Sequence, residues 1–585
     1  MPKPFVLFES YGRNPTGRSF HFTAPAEEIS ATALDQVIPA LRRIDAAVQN
    51  GLHAAGFIAY EAAPAFDSHL RVKNPSAFPL LWFGLFKERH QIQAGKFYGD
   101  GQFSLTNAQA SLEENAYSHA VEHIRERIAA GDTYQVNFTL RQRARFAGED
   151  LALYHRLCRN QRAGYCAYLN IGRYRILSVA PELFFHWHQG QLTTKPMKGT
   201  RPRGRTTAED RAYAEQLQSS PKERAENLMI VDLLRNDLGR IAEFGSVQVP
   251  QLFEVERYEA VLQMTSTVTA QPLPQAGFVD ILQALFPSGS ITGAPKIRTM
   301  EIIHALEDSP RQIYTGAIGF LSPGLEAVFN VAIRTLLIDT QTGSAELGLG
   351  SGITYDSSPA AEYKECLLKG SFLSQSRPDF SLLETLRYEN PAGYFLLDRH
   401  LARLADAADY FGFSYQENTV HAALQEAATR MLAGKFKVRL SLNRQGAVQV
   451  THETLDEKPI WRVALSRAPV DSRDVFLFHK TTHREIYETR RAAQPEVDEV
   501  LLINEKGELT ESTVANLVVR LEGKDYTPPI SCGLLAGTWR AELLERGQLV
   551  ERVLRPEDLS KAEAIFLINS VRGWMPVQIV RGSLK

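Results

Sequence analysis

The residues best able to do chemistry stand close together in Thr193-Thr194-Lys195-Pro196-Met197-Lys198-Gly199-Thr200-Arg201-Pro202-Arg203-Gly204. Lys195, Lys198, Arg201 and Arg203 are separated by prolines and glycines, which predict an extended, turning backbone rather than a helix. Such a segment can aim several cations at one small polyanion. Neighbouring cations also oppose one another's protonation, which lowers a lysine pKa and frees its amine as a nucleophile. The competing reading of this stretch is a solvated basic loop. Glu182, in Ser178-Val179-Ala180-Pro181-Glu182-Leu183-Phe184-Phe185, sits on a turn entering an apolar strand. Partial burial there would raise its pKa and suit a general acid; at the strand's rim it would stay ionised. Glu226 lies close to the apolar face of a helix, where a carboxylate is either paired with a base or holds a metal. Glu362, Glu365 and Lys369 follow at i, i+3 and i+7, so they share one helix face, the usual spacing of a surface ion-pair ladder.

These groups need elements to position them. Glu113 to Ala130 predicts a helix ended by Gly131, and Gln135 to Thr139 a half-buried strand. Ser219 to Arg240 is the clearest helix. Ser220, Pro221 and Glu223 form a capping box with proline in the first turn, Leu228, Val231, Leu234 and Leu238 form a core stripe, and Gly239 stands at the stop. Pro287 to Lys296 invites a phosphate-loop reading, which fails because Lys296 stands three residues past Gly293 and Ile297 follows it. Tyr314 to Phe320 and Asn330 to Thr335 read as strands, with Arg334 interrupting the second as a side chain snorkelling from a strand end would. Gly348 to Gly352 reads as a glycine-rich turn where a ligand could meet bare backbone N–H groups. Ser358 caps a helix that Pro359 opens.

At 585 residues the chain exceeds one ordinary core. Ser374 to Asp379 is a short polar linker, dividing a domain over 1–374 from one over 380–585. A net charge of −2 supplies no basic field for nucleic acid. Cys158, Cys166, Cys366 and Cys532 form no C-x-x-C pair, which argues against a zinc site or disulfide scaffold and fits a reducing compartment. No apolar run is long enough to span a membrane, and no secretory signal core opens the chain, so a cytoplasmic protein is expected.

Taken together, these stretches resemble the chorismate-utilising enzymes, the group holding anthranilate synthase and aminodeoxychorismate synthase component I. Lys195 to Gly204 resembles the group's "PIKGTRPRG" box, Gly131 to Asn137 its "GDxxQVN" strand, and Ala180 to Phe184 its "SPELF" motif. Glu226 to Asp237 resembles "AENLMIVDLLRNDIGR", Gly289 to Lys296 "GSITGAPK", and Asp356 to Lys369 "DSxPxxEYxExxxK". Leu7 to Ser10 is similar to the "LLES" element that lines a tryptophan pocket in anthranilate synthases, or is an ordinary edge strand. Lysine at 198 follows the aminodeoxychorismate synthases, since anthranilate synthases usually carry alanine there; Asp280 stands where anthranilate synthases place a histidine. The resemblance implies that Lys198 is a nucleophile and Glu182 the general acid/base. It implies Mg²⁺ on Glu226 and Glu365, with Glu362 direct or through water. It also implies substrate contacts at Thr292, Tyr314, Arg334, Gly350, Gly352 and Lys369, with the arginine clamping a carboxylate.

Beyond the linker a second resemblance begins. Phe395-Leu396-Leu397-Asp398-Arg399-His400-Leu401-Ala402-Arg403-Leu404 resembles the fold-type IV pyridoxal phosphate enzymes, whose matching arginine (Arg403) holds the cofactor phosphate. Lys480 to Tyr487 resembles "KTxxRxxY", whose lysine carries the cofactor, and Glu511 matches the carboxylate facing the pyridine nitrogen. Gly533 to Arg540 resembles the phosphate loop, with Thr538 a phosphate contact and Trp539 departing from the usual threonine. Asn569 to Val577 is similar to the "NSLRGIMPV" close of aminodeoxychorismate lyases rather than the small-residue segment of aminotransferases.

The implied fold is α/β (α+β): two large sheets flanked by helices in the first domain, and a fold-type IV domain of two α/β subdomains in the second. The implied activity is bifunctional 4-aminobenzoate synthesis. Chorismate is aminated to aminodeoxychorismate with Mg²⁺, then pyruvate is eliminated with pyridoxal phosphate. No cysteine lies in a glutaminase elbow, so ammonia or a separate glutamine amidotransferase subunit is expected. The alternatives are an anthranilate-type enzyme fused to an aminotransferase, and an inactive assembly or ligand-sensing subunit.

Overall fold

The computed structural model describes residues 4–12, 18–74, 77–97, 99, 101–456 and 458–580. It divides into two compact units, Met1–Arg203 with Tyr213–Arg377, and Gly204–Ala212 with Pro378–Lys585.

The first unit is built on two ten-stranded sheets. One runs Gly293–Ala294, Gln135–Gly148, Ser344–Ile353, Thr335–Asp339, Tyr174–Ala180, Tyr165–Asn170, Phe5–Glu9, Ser19–Thr23 and His90–Ile92, with Phe103–Ala110 also on Gln135–Gly148. The other contains, in order, Met197–Pro202, Val261–Ala270, Gln191–Lys195, Leu183–His188, Glu326–Val331 and Ala317–Ser322, then His53–Ile58, Leu81–Phe86 and Glu27–Ala31, with Gln248–Arg257 also on Val261–Ala270. Apolar side chains from both sheets meet in one cluster, Val6, Phe8 and Phe22 of the first with Phe57, Trp82 and Phe320 of the second. Their other faces are buried by helices. Leu34–Gln49, Pro221–Gly239 and Phe278–Leu285 pack on the second sheet, and Glu114–Ala129 and Asp150–Gln161 on the first.

The helix Pro221–Gly239 has the expected start, with the Ser220 hydroxyl accepting from the Glu223 amide and Pro221 in the first turn. Its buried stripe differs from expectation: Leu228 is 43% exposed, and Asn227 and Ile230 are buried with Val231, Leu234 and Leu238. The sheet face lies about one residue round from the purely leucine stripe, because Asn227 has a buried partner in the Ser266 hydroxyl at 2.5 Å. Proline opens the helix Pro359–Gly370 as expected, but the Ser358 side chain makes no capping bond.

The second unit has a four-stranded sheet, Gly393–Tyr394, Leu382–Glu389, Lys435–Leu442 and Val448–Thr454, packed on the helices Leu397–Phe411 and Glu417–Ala428. The first of these helices ends at Gly412 with φ +70°, a left-handed cap that glycine adopts without a Cβ penalty. An eight-stranded sheet centres on Trp461–Leu465, Gly573–Ile579 and Ala564–Asn569. Lys480 lies where the two layers join, since its carbonyl accepts from Leu383 N at 2.9 Å and Thr481 bridges to Leu382. Among the described residues no helix is long and apolar enough to cross a membrane.

Candidate active site

In the first unit the basic stretch forms two strands broken at Pro196, Gln191–Lys195 and Met197–Pro202. Alternation along these strands sends the cations apart. Lys195 pairs with Glu256 and with Glu254 at 3.6 Å, Arg201 reaches Gln216 at 2.8 Å, and Arg203 donates to Tyr258 O at 2.9 Å. The expected mutual repulsion of four cations at Lys198 is therefore not what lowers its pKa. Burial lowers it; Glu226, Glu182 and Glu365 oppose the shift, and Lys369 from another element adds to it.

Glu182 follows the strand Tyr174–Ala180 and is 4% exposed. Burial raises its carboxyl to about 7, against the Ser290 hydroxyl and the Lys198 charge, which favour the ionised form. Near neutral pH this carboxyl can hold a proton, as a general acid must, and burial disfavours the charged form of the neighbouring amine.

Gly348 to Gly352 is not a turn. It lies inside the strand Ser344–Ile353 and pairs residue for residue with Gln135–Gly148, so Gly350 faces Thr139 and Gly352 faces Asn137. The glycines serve close approach instead. A Cβ at Gly348 would fall 2.0 Å from Tyr314 Cγ, and one at Gly350 would fall 3.2 Å from the Tyr314 hydroxyl, so the ring lies flat along the strand. A Cβ at Gly352 would meet Gln135 Nε2 at 2.2 Å and Lys198 Nζ at 3.2 Å. Lys369 donates to Gly350 O at 3.0 Å and pairs with Glu365 at 2.7 Å. The three residues Lys198, Gly352 and Lys369, remote in sequence, thus border one space.

Tyr314 stands in a turn before the strand Ala317–Ser322, rather than inside a strand. Arg334 likewise lies between strands, where the chain passes from the sheet holding Glu326–Val331 to the one holding Thr335–Asp339. It has φ +50°, a left-handed conformation uncommon for arginine, which turns its side chain to Gln161 Oε1. Thr292 is fully buried; its hydroxyl donates to Ser288 O at 3.0 Å and its carbonyl accepts from Asn137 N at 2.8 Å. Lys296 pairs with Asp237 at 3.0 Å, consistent with a structural rather than phosphate-binding lysine.

Glu226 and Glu223 on one helix face Glu362 and Glu365 on another. Burial raises Glu226, and Glu223 and Glu362 raise it further against Lys198; burial and Glu365 raise Glu223. Carboxylates that destabilise one another's charge are a hard-oxygen donor set suited to a divalent cation. Among the described residues no three His, Cys, Asp or Glu side chains are already drawn together as a closed metal site.

In the second unit, burial brings Lys480 down to about 7, with Arg403 and Arg484 adding to the shift against Glu384 and Glu511. Glu511 is raised to about 7 by burial, although Leu535 N, the Tyr487 hydroxyl and Lys480 favour its charge. Tyr487 donates to it at 2.9 Å and Asn516 Nδ2 at 3.1 Å. Arg403 forks onto Glu384 at 2.8 and 2.7 Å and reaches Ala536 O at 3.1 Å. The Thr538 hydroxyl opens a helix and lies 3.2 Å from His400 Nε2. Trp539 packs on Phe395 with the rings tilted and their centroids 5.4 Å apart, and Arg540 is buried against Pro528 O and Glu551. The sequence assigns no role to Glu384 or His400; both emerge only from the fold, with His400 Nδ1 2.7 Å from Glu384. A cofactor with a phosphate and a ring nitrogen fits this arrangement: Arg403 and Thr538 supply anion-binding groups, and Glu511 is a buried carboxylate with its own donors.

A family model described as chorismate binding enzyme matches residues 3–375, and one described as amino-transferase class IV matches 381–580. The class IV match implies pyridoxal phosphate as a cofactor. Aminodeoxychorismate synthase component 1 of Klebsiella aerogenes is 43% identical over 264 residues, 45% of this chain and 58% of that protein. Anthranilate synthase component 1 of Methanothermobacter thermautotrophicus is 37% identical over 343 residues, 55% of this chain and 73% of that protein. The crystal structure of anthranilate synthase component I from Streptococcus pneumoniae is 27% identical with a TM-score of 0.55, covering 62% of this chain and 93% of that one. This chain therefore spans only 58% of the length of the Klebsiella relative.

Proposed function

This chain belongs to the chorismate binding enzyme family, and we propose that it makes 4-aminobenzoate from chorismate in two steps, one in each unit. The observation that carries the reading is the meeting of Lys198, its protonation disfavoured by burial, with Glu182, its carboxyl raised to about 7. In the first step Glu182 protonates the C4 hydroxyl of chorismate, which leaves as water while the Lys198 amine bonds to C2. Ammonia then bonds to C4 and the lysine leaves C2, so two displacements return both ring double bonds to their places and retain the original face. Tyr314, Thr292, Gly350, Gly352 and Lys369 shape the substrate space, and Arg334 offers a fork to a carboxylate. Mg²⁺ on Glu226 and Glu365, with Glu362 directly or through water, would neutralise substrate carboxylate charge. Mg²⁺ also suits the mutual repulsion of those side chains.

The second step is loss of pyruvate from aminodeoxychorismate as the ring aromatises. Bound pyridoxal phosphate supplies an electron sink for this elimination. Lys480 would carry the cofactor, Arg403 and Thr538 would hold its phosphate, and Glu511 would face its ring nitrogen. A lysine titrating near 7 is suited to take up and release protons at working pH. The name of the Klebsiella relative, a component 1, supports a separate second component, to which we assign supply of ammonia from glutamine.

The test is product analysis with the purified chain, chorismate, Mg²⁺, ammonia and pyridoxal phosphate. 4-Aminobenzoate and pyruvate are expected. Aminodeoxychorismate alone would keep the first step and turn the second unit toward an aminotransferase. Anthranilate would overturn the role given to Lys198.

A further inference from the structure

Among the described residues, the Glu182 carboxyl has one hydrogen-bond donor, the Ser290 hydroxyl, at 2.5 Å from Oε1. Both side chains are buried, at 4% and 5% exposure. The Ser288 hydroxyl lies 3.0 Å from that of Ser290, so it can donate to Ser290 and leave the Ser290 proton for Glu182. The segment carrying both serines is rigidly held. Arg311 Nη1 and Asn137 Nδ2 each donate to Ile291 O at 3.0 Å, and Thr292 caps Ser288 O. Arg311 is itself fixed by Glu307 at 2.7 Å. A hydroxyl donor on Oε1 favours the carboxyl's own proton on the other oxygen.

We propose, resting on the reading of Glu182 as the general acid, that Ser290 is a positioning residue: by donating to Oε1 it puts the transferable proton on Oε2, with Ser288 orienting Ser290. The proton lost from Oε2 goes to the departing C4 oxygen, and the carboxylate left behind is stabilised by the same serine. Ser290 thus lowers the barrier to giving the proton away, while limiting the pH range over which Glu182 keeps it. The charged and titratable groups facing this carboxyl are few. Lys198 faces it directly, Glu226, Lys369 and Glu365 face Lys198, and the Tyr258 hydroxyl lies on the neighbouring Pro181 O at 3.4 Å.

The experiment follows chorismate loss across pH, with the full chain, Mg²⁺ and ammonia, in wild type, Ser290→Ala, Ser290→Thr and Glu182→Gln. Loss of the donor destabilises the carboxylate, so the alkaline limb of kcat in Ser290→Ala is expected to move up by about one pH unit. Its kcat at the optimum should fall about ten- to a hundredfold through misplacement of the acid, with KM unchanged. Ser290→Thr should return the limb to the wild-type position. An unmoved limb in Ser290→Ala, with Glu182→Gln inactive, would overturn the serine's role and keep the acid. A threonine variant with the alanine limb would also overturn it. Wild-type turnover in Glu182→Gln would instead overturn the reading of Glu182 on which the proposal stands.

Discussion

The surroundings of Lys198 and Lys480 reach the same end by opposite electrostatics. Both lysines are brought down chiefly by burial. Around Lys198 the two largest neighbouring charges are carboxylates, Glu226 and Glu182, which pull the amine back toward its charged form, ahead of Lys369, which opposes it. Around Lys480 the leading neighbours are the cations Arg403 and Arg484, which push the same way as burial. The first environment suits a cationic metal and an acid that must keep its proton. The second suits an anionic phosphate, since the arginines that depress the lysine are also anion binders. Desolvation leads both shifts, and the neighbouring charges, of either sign, are left to serve whatever else the site must hold.

The most severe way to break this comparison is to remove each lysine in turn. Lys198→Ala should reduce chorismate consumption by on the order of 10³-fold or more, leaving conversion of supplied aminodeoxychorismate intact. Lys480→Ala should do the reverse, and equal loss of both partial reactions in either variant would contradict the two-step assignment. Glu182→Gln should lower first-step turnover by about 10²- to 10⁴-fold, measured with ammonia so that no partner limits the rate. Gly348→Ala sets a Cβ 2.0 Å from Tyr314 Cγ, so the ring must leave the strand. We expect a lower melting temperature and a KM for chorismate raised about tenfold or more.

Smaller effects sharpen the electrostatic contrast. Arg484→Gln removes a cation that depresses Lys480, so the lysine should titrate above its value of about 7. In the cofactor-free protein, the rate at which added pyridoxal phosphate is captured follows the free amine; its pH midpoint should move up in this variant and stay fixed in Lys198→Ala. Glu511 is raised to about 7 in the fold from an ordinary value of 4.5. Its contribution to stability is thus present below about 4.5 and is lost as pH rises through about 7. Cofactor-free wild type should lose melting temperature relative to Glu511→Gln between pH 5 and 8, by a few degrees at most.

Part of this was legible in the chain because the chemistry sits on short, contiguous segments. Glu182 beside an apolar strand, the capped helix carrying Glu226, and the face shared by Glu362, Glu365 and Lys369 all follow from local spacing. The misreadings have a common physical cause. Gly348 to Gly352 suggested a turn because glycine is locally permissive, whereas these glycines clear space for the Tyr314 ring, whose place along the strand is set by a residue over thirty positions away. The cationic stretch suggested mutual repulsion, whereas strand alternation and partners such as Glu256 and Gln216 disperse the charges.

By itself the sequence determined which residue types are available, where helices begin, and that two chemistries are joined in one chain, because these are properties of neighbours in sequence. Only the tertiary structure decided that Lys198 meets Glu182 and Glu226, that Ser290 reaches Glu182, that Arg334 turns aside between two sheets, and that Glu384 and His400 stand behind Arg403. Those relations depend on desolvation and on distances between segments that lie far apart along the chain, and neither is encoded in local spacing.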